Sequence, residues 1–330
     1  MTELINNLVV SSRVRLARNL EGIPFKTKSK GVFDGVATTI KQRNSGFVST
    51  ATSELPSDMS QALFEQHLIS RELLANKTNS IIVASKDNRL VVMLGEEDHI
   101  RIQSLQTGFD LDTAYTTAKK ISDDVQTEHS IAWRKDFGYL TSCPTNLGTG
   151  MRASVMMFLP ALTINRQIGI LAKQLSTNHL TVRGVYGEGS HAGGYMYQIS
   201  NQACIGFNAK QIIDMVKNVS WQIAKLEIKA QEQMYKNSPD QIIDGVRRAW
   251  GTLTNAYLLS SGEAMETLAL LKLGSCLGII KFKNQRILDD LFFIIQPNTI
   301  ATTDNRATAV LQRDKIRAQR ISEHLRASRV

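Results

Sequence analysis

The sequence has few cysteines and no long apolar run. Its 330 residues include three cysteines, Cys143, Cys204 and Cys276, and no two of them form a CxxC pair. This spacing indicates neither a disulfide framework nor a zinc site, and sparse cysteine is typical of a reducing cytosol. No stretch reaches the ~20 apolar residues of a membrane span, and the first residues lack the apolar segment of a signal peptide. We therefore expect a cytoplasmic protein that does not enter a membrane.

The sequence also lacks a block of consecutive basic residues, although its net charge is +9. A basic balance suits a nucleic acid, an anionic membrane or an anionic small ligand, and the distribution of the charges decides among them. Here several arginines are isolated in short segments that carry Gly, Ser or Asn. This pattern favours a pocket for a compact polyanion over a track along nucleic-acid phosphates, so we expect no direct nucleic-acid partner.

Two common nucleotide-binding motifs are absent from the sequence. It contains neither a Walker A loop nor the glycine-rich loop of protein kinases with its HRD and DFG partners. An ATP-dependent enzyme with this sequence would therefore not belong to the two commonest kinase designs.

The hydrophobic pattern divides the chain into two regions. It predicts strands at 9–16, 80–84, 90–94, 137–142, 180–185 and 196–201, and helices at 58–75 (capped by Asp58), at 110–127, from about residue 152, and at 209–235. The segment 237–240 contains a Ser-Pro helix breaker, and the pattern after it is almost entirely helical. We therefore place a mixed α/β catalytic domain at 1–237 and a helical domain at 238–330. Because strands often follow one another without a crossover helix, we expect an α+β fold with a largely antiparallel sheet rather than a doubly wound one.

Arginines in polar or glycine-containing contexts are the first candidates for binding. They are Arg13, Arg15, Arg101, Arg152 and Arg183. Arg13 and Arg15 are two apart on a predicted strand, so their side chains should share a face. Guanidinium groups bind phosphate oxygens through two parallel hydrogen bonds, and several together would neutralise the phosphates of ATP. The alternative for any one of them alone is a surface arginine paired with a carboxylate.

Two acidic segments, a cysteine and a histidine are further candidates. Glu97 follows a predicted strand, and Glu188 lies in the glycine-rich loop 186–194, which can close over a substrate. A solvated turn and a long hairpin connection are the alternatives. Cys143 precedes a predicted helix whose N-terminus would favour the thiolate, unless the residue is merely small and buried. His67 lies in a predicted helix, where a single histidine is more often a core or surface residue than a ligand.

Taken together, these segments resemble the guanidino (phosphagen) kinase family. The matching stretches occur in order at 11–20, 95–104, 140–155, 183–190 and 197–202, and the CPTNLGTG stretch at 143–150 with its downstream Arg152 is highly specific. The resemblance implies an antiparallel sheet flanked by helices. It also implies that ATP is the phosphoryl donor and that Mg²⁺ is held mainly by phosphates and water.

The resemblance assigns roles to individual residues. Glu97 and Glu188 fall on the two carboxylate positions that hold the substrate guanidinium, and Cys143 falls on the reactive cysteine position beside it. A guanidinium is a poor nucleophile because its pKa exceeds about 12, so one glutamate would draw off a proton while both position the group. The nucleotide-binding positions fall on Ser11, Ser12, Arg13, Val14, Arg15, His67, Arg101, Arg152, Ala153, Ser154, Val155, Met156, Arg183, Gly184, Val185, Tyr186, Gly187 and Glu188.

The sequence departs from the family pattern at two positions. Gly95 stands where the family usually has Asn, and His191 stands where a second glutamate is common. Both Glu97 and Glu188 are retained, so we expect an active enzyme whose rate or substrate preference differs from that of other members.

Sequence features near both ends of the chain help to predict the class of substrate. Only ten residues precede the segment 11–20, whereas kinases for small guanidines carry a helical domain there, so we expect a site open to an arginine side chain on a protein. Near the other end, an RDxxRA motif contributes Arg313, Asp314, Arg317 and Ala318 to a predicted helix, with both arginines on one face. An ordinary charged helix face is the alternative. The motif resembles that of bacterial protein arginine kinases, where it binds phosphoarginine as an allosteric signal.

We therefore predict ATP-dependent phosphorylation of arginine side chains in proteins. The alternatives are a kinase for free arginine or another small guanidino compound, and a non-enzymatic basic regulator. The resemblance further implies a heat-shock setting, a stress-gene repressor as substrate, a zinc-containing activator protein, and a Clp unfoldase–protease that degrades the marked proteins. Apolar residues of the C-terminal helices predict a homodimer interface, namely Leu268, Leu271, Leu273 and Leu277.

Overall fold

An antiparallel sheet is the central feature of the computed structural model, which describes residues 2–25, 27, 30–75, 78–184 and 193–330, without the side chains of residues 2–4 and 30. Its strands are β1 (Val9–Arg18), β2 (Phe47–Ala51), β3 (Ile81–Ser85), β4 (Leu90–Leu94), β5 (Ile100–Thr107), β8 (Met151–Phe158), β9 (Leu180–Gly184) and β10 (Met196–Asn201), and β6 (Trp133–Arg134) and β7 (Gly138–Tyr139) form a separate ribbon. The spatial order in the sheet is β2-β3-β4-β5-β1-β8-β10-β9, and every pairing is antiparallel.

Helices accompany the sheet and make up the C-terminal part. They are α1 (Thr2–Leu8), α2 (Lys30–Arg43), α3 (Ser57–Glu65), α4 (Arg71–Ala75), α5 (Leu111–Gln126), α6 (Pro160–Ile164), α7 (Ile168–Ser176), α8 (Ala209–Asn237), α9 (Pro239–Asn255), α10 (Ser261–Cys276), α11 (Ile287–Ile294), α12 (Pro297–Thr303) and α13 (Val310–Ser328). The break between α8 and α9 falls at Ser238, as the Ser-Pro signal predicts. Within the described ranges, no helix is long and apolar enough to cross a bilayer.

Strand β1 has two chemically different faces. Val14 and Leu16 are buried in the main core with Ala118 and Ile121 of α5, while Arg13 and Arg15 alternate with them and are only half-buried. Side chains of a strand alternate between the two sides of a sheet. The core therefore takes one face of β1, and the arginines are left on the other face.

The predicted helix at 58–75 is wrong, because the chain forms two short helices there. Between α3 and α4 the backbone turns at His67, whose φ is 59°, a left-handed conformation that interrupts any helix. Pro56, rather than Asp58, precedes the first turn of α3.

The predicted helix from about residue 152 is also wrong, because residues 151–158 form strand β8 in the middle of the sheet. Its core residues, at positions 151, 153, 155 and 157, are buried and alternate with Arg152, Ser154 and Met156. The segment therefore carries the two-residue period of a strand, which the helix prediction overlooked. The predicted strand at 137–142 reduces to the two residues of β7.

The leucines predicted to form a dimer interface lie inside the chain. Leu268 and Leu271 are fully buried, Leu273 is nearly so, and Leu277 packs against the same core. Helix α10 packs on α9, so these four side chains stabilise the fold of one chain and are not free to form an interface with a partner.

Candidate active site

Arginines from neighbouring strands meet on the open face of the sheet. The register places Arg15 of β1 opposite Arg152 of β8 on one side and opposite Gln103 of β5 on the other. Arg13 also lies on β1, and Arg101 lies on β5. Together with Arg183, these arginines line a cavity of about 310 Å³, here called the arginine cavity.

The arginine cavity holds guanidinium groups that repel one another. Burial lowers the pKa of Arg13 to about 10, and Arg152 and Arg101 add to the effect. The pKa of Arg15 is lowered well below its ordinary value, mainly by burial and then by Arg13, Arg101 and Arg152. A bound polyanion would relieve this repulsion and favour the charged forms. The cluster is therefore chemically suited to an anionic ligand that carries several charges.

Arg101 is held between two adjacent glutamates. It pairs with Glu96 at 2.5 Å and with Glu97 at 2.9 Å, and the two glutamate side chains differ in exposure, at 0% and 36%. Burial raises the pKa of the Glu96 carboxyl, and Arg101 opposes that shift. Glu96 thus anchors Arg101 from within the protein, while the carboxylate of Glu97 lines the arginine cavity and can receive a cationic group there.

A buried aspartate joins the turn that carries Glu97 to the turn that carries Cys143. The backbone N–H of Ser142 and the Asn19 side chain both donate to Asp98 Oδ1, at 2.7 Å each. Ser142 Oγ also donates to the carbonyl oxygen of Glu97 at 2.8 Å. These contacts bring Cys143 and Glu97 to the wall of one cavity, although the residues are far apart in sequence.

Cys143 does not precede an α-helix, contrary to the prediction. It precedes a single 3₁₀ turn, Pro144–Asn146, and its Sγ lies 3.0 Å from Thr145 Oγ1. The CPTNLGTG segment then turns back through glycines. At Gly150, whose φ is 61°, a Cβ would lie 2.6 Å from the carbonyl oxygen of Ala17, so this approach to β1 requires glycine.

A second cavity of about 400 Å³ adjoins the first and is called here the outer cavity. Arg13 and Gln198 line both cavities, and Arg13 Nη2 donates to Gln198 Oε1 at 2.8 Å. Candidate residues from the sequence also line it, namely Ser11, His67, Ser154 and Met156. The adjoining cavities suit a ligand with an anionic part and a larger, less charged part.

His67 stands in the outer cavity as a neutral imidazole. Burial, together with the charge of Arg13, lowers its pKa from 6.5 to about 3. Gln103 Nε2 donates to the carbonyl oxygen of His67 at 2.8 Å, so the sheet fixes the turn on which the histidine sits.

The shift at His67 predicts acid sensitivity of the fold. Below pH 6.5 the histidine becomes protonated in the unfolded chain but stays neutral in the folded protein. The free energy of unfolding therefore decreases as the pH is lowered. Between pH 7 and pH 5 the loss should be about 2 kcal/mol. Asparagine tolerates a positive φ, so His67→Asn can keep the turn. Its free energy of unfolding, measured with urea at both pH values, should decrease less than that of the wild type. Equal losses in the two proteins would contradict the assignment.

Other candidate residues lie outside both cavities. Val14, Ala153 and Val155 are buried in the core, and buried Ser12 donates its Oγ to the carbonyl oxygen of Gly108 at 2.7 Å. Gly184 ends strand β9. Val185, Tyr186, Gly187, Glu188 and His191 lie outside the described residues.

The RDxxRA motif lies on α13, and its arginines line neither cavity in the described part of the chain. Arg317 is 1% exposed. Its Nε donates to the carbonyl oxygen of Ile295 at 2.8 Å, and its Nη1 donates to that of Leu259 at 2.8 Å and to Asp314 Oδ1 at 2.5 Å. Arg313 is more accessible than Arg317.

Sequence reasoning missed several residues of the arginine cavity, including Glu72 and Gln198. Glu72 lies on α4, within what the sequence predicts to be one uninterrupted helix, and gives no signal of its own. Gln198 had a usable signal, because in β10 it alternates with buried Tyr197 and Ile199 and therefore points to the opposite face.

The arrangement brings carboxylates and a thiol beside a cluster of guanidinium groups. Among the described residues, no group of three or more His, Cys, Asp or Glu side chains is arranged to hold a metal ion. A divalent ion at this site would take most of its oxygen ligands from the bound polyanion and from water.

Family models match the two parts of the chain separately. The model described as ATP:guanido phosphotransferase, C-terminal catalytic domain, matches residues 29–230. The model described as Protein-arginine kinase McsB C-terminal domain matches residues 239–329.

Curated proteins are similar over nearly the whole chain. The protein-arginine kinase of Caldanaerobacter subterraneus subsp. tengcongensis is 40% identical, with 98% of this chain and 99% of that protein covered. The protein-arginine kinase of Shouchella clausii is 37% identical, with 97% and 92% covered.

Solved structures share the fold. A crystal structure of lombricine kinase has a TM-score of 0.58 at 22% identity, covering 67% of this chain and 66% of that one. The duplicated taurocyamine kinase from Schistosoma mansoni, with bound transition-state analogue components, has a TM-score of 0.62 at 24% identity, covering 78% and 39%. The predicted antiparallel α+β fold flanked by helices is thereby confirmed.

Proposed function

Because the chain belongs to the protein-arginine kinases of the ATP:guanido phosphotransferase family, we propose that it transfers the γ-phosphoryl group of ATP to arginine side chains of proteins. It is a phosphotransferase that acts on guanidino groups. The observation that carries the proposal is the arginine cavity, where Arg13, Arg15, Arg101 and Arg152 converge beside Glu97.

In this proposal the two adjoining cavities bind different parts of ATP. The triphosphate lies in the arginine cavity, where guanidinium groups neutralise its charge. The adenosine part lies in the outer cavity near His67, and Arg13 stands where the two cavities meet. Mg²⁺, when bound, supplies further neutralisation through phosphate oxygens and water.

Glu97 is the carboxylate that we assign to the acceptor guanidinium. The carboxylate orients the group and accepts a proton from the attacking nitrogen. A bond forms between that nitrogen and the γ-phosphorus, the bond from phosphorus to the bridging oxygen breaks, and ADP leaves with that electron pair. Arg101, fixed by buried Glu96, keeps the Glu97 carboxylate beside the phosphates. Glu188 is proposed as the second carboxylate, and Cys143 as the thiol beside the substrate.

The test compares protein-bound with free arginine. The enzyme is incubated with ATP and either casein or free arginine, and the products are analysed by mass spectrometry under conditions that preserve the acid-labile P–N bond. We expect phosphoarginine on casein. Strong turnover of free arginine with no phosphate on the protein would favour a small-guanidine kinase instead, and transfer to neither would refute the proposed activity.

The proposal extends to allosteric control by phosphoarginine at Arg313, Asp314, Arg317 and Ala318. Replacing Arg317 would leave buried carbonyl oxygens without a donor and weaken the fold, so Arg313→Ala is the cleaner variant. We expect it to need a higher phosphoarginine concentration for activation while its ATP affinity stays unchanged, as measured by activation curves and ATP titration. The matched control is Arg248→Ala, an exposed arginine paired with Asp244 on α9. Identical activation curves for Arg313→Ala and the wild type would refute the allosteric role.

The wider setting of the enzyme is also proposed. We assign the catalytic domain to 1–237 and the phosphoarginine-binding domain to 238–330, and the helix break at Ser238 supports that boundary. In this proposal the enzyme acts in the cytoplasm during heat shock, is stimulated by a zinc-containing activator, phosphorylates a stress-gene repressor and marks proteins for a Clp unfoldase–protease. For a homodimer, the exposed apolar residues available in the C-terminal part include Tyr257, Leu258, Val310 and Leu311.

A further inference from the structure

The outer cavity is closed on one side by C-terminal helices. Sheet residues and His67 line one side of it, and the opposite side consists of residues from α11, α12 and α13. The residues that matter here are Phe293 and Ile294 of α11, Thr299 and Thr303 of α12, and Arg320 of α13.

Three consecutive residues of the catalytic part contact this C-terminal wall. The Glu65 carboxylate accepts hydrogen bonds from the backbone N–H groups of Asn298, at 3.0 Å, and Thr299, at 2.9 Å, and from Asn298 Nδ2 at 2.7 Å. Gln66 Nε2 donates to Thr299 Oγ1 at 3.4 Å. The ring of His67 meets that of Phe293 edge to face, with centroids 6.0 Å apart.

Arginines of α13 hold the other end of the same wall. Arg320 Nη1 donates to the carbonyl oxygen of Ile294 and to Thr303 Oγ1, both at 3.1 Å. Arg317 Nε donates to the carbonyl oxygen of Ile295. These carbonyls belong to the C-terminal end of α11, where cationic side chains are favoured. The position of Phe293 is therefore fixed by Glu65 through α12 and by α13 through the end of α11.

We propose that α11 to α13 form one wall of the nucleotide-base pocket, in which Phe293 contacts the base and Glu65 is a positioning residue that holds the wall against His67. This inference rests on the proposed placement of ATP. In this arrangement the strands bind the phosphates, and the C-terminal helices contact the base from one side of the outer cavity. An aromatic ring suits that task because a base presents a flat π-face.

The test compares ATP with inorganic tripolyphosphate, which has the phosphates but no base. Dissociation constants for both ligands are measured by isothermal titration calorimetry on the full chain. Phe293→Ala should weaken ATP binding about tenfold and leave tripolyphosphate binding unchanged. Phe293→Leu, which keeps apolar volume, should weaken ATP binding by a smaller factor and keep the wild-type melting temperature.

Glu65 variants test the positioning role. Glu65→Ala should weaken ATP binding selectively, as Phe293→Ala does. Glu65→Gln should weaken it less, because its amide oxygen can still accept the backbone N–H groups of Asn298 and Thr299, whereas its amide nitrogen cannot accept from Asn298 Nδ2. Phe137→Ala is the control, since Phe137 is 43% exposed and lines neither cavity in the described part of the chain.

Equal weakening of ATP and tripolyphosphate, or unchanged ATP affinity in Phe293→Ala and Glu65→Ala, would overturn the inference. The comparison does not depend on catalysis. If the wild type transfers no phosphate to arginine, the proposed function fails, while the ratio of the two dissociation constants still decides whether the C-terminal wall contacts the base.

Discussion

Replacing Glu97 with glutamine is expected to lower kcat for protein-arginine phosphorylation by about 10²–10⁴-fold, the range found for loss of a general base. The amide keeps the size of the side chain but neither accepts the proton nor balances the charge of the guanidinium. Arg101 keeps its buried partner Glu96, so the phosphate site should survive. ATP affinity is therefore expected to remain close to that of the wild type.

Phosphoarginine formation on casein and ATP titration measure the two effects of Glu97→Gln separately. Glu232→Gln is the control, because Glu232 is an exposed glutamate on α8. A fall in kcat of less than tenfold would show that Glu97 is not the base and would shift that role towards Glu188. A large loss of ATP affinity would show instead that Glu97 acts through Arg101.

The variant Arg15→Ala is expected to have the second large effect, lowering kcat by about 10³–10⁵-fold, as loss of an arginine that stabilises a transferring phosphoryl group does. Arg15 stands opposite Arg152 in the register and beside Arg13. Arg15→Lys should restore only part of the rate, since an ammonium keeps the charge but not the two-pronged geometry of the guanidinium.

The melting temperature of Arg15→Ala distinguishes a catalytic role of Arg15 from a structural one. Burial and neighbouring guanidinium groups lower the pKa of Arg15, which means that its charged form is disfavoured in the ligand-free fold. Arg15→Ala should therefore keep or raise the melting temperature while activity falls. A lowered melting temperature with retained kcat would identify Arg15 as a structural residue.

The site illustrates which contacts a sequence can predict. The shared face of Arg13 and Arg15 follows from strand alternation alone, and in the structure both line one cavity with Arg101, Arg152 and Arg183. The partners that hold the site come from distant segments: buried Asp98 joins two turns, and Glu96 anchors Arg101. No local pattern encodes such pairs, because they depend on how the turns pack.

The errors in the prediction have two origins. In strand β8, Arg152 and Ser154 alternate with buried Ala153 and Val155, and the helix prediction overlooked this two-residue period. The left-handed turn at His67 is stabilised by a hydrogen bond from Gln103, a residue of β5, so there a tertiary contact outweighs the local preference of the chain.

The sequence by itself determined that Arg13 and Arg15 share one face of a strand, that the sheet is antiparallel and that a helix breaks before Pro239. These follow from short-range periodicity, from a breaker residue and from motifs that are contiguous in the chain. Only the tertiary structure decided that Arg317 is buried under carbonyl oxygens, that the C-terminal leucines serve the core of one chain, and that Glu65 meets Asn298 and Thr299 at the wall of the outer cavity. Burial and long-range pairing are properties of the packed chain, and they assign a side chain to a ligand, a core or an interface only once the helices and the sheet have come together.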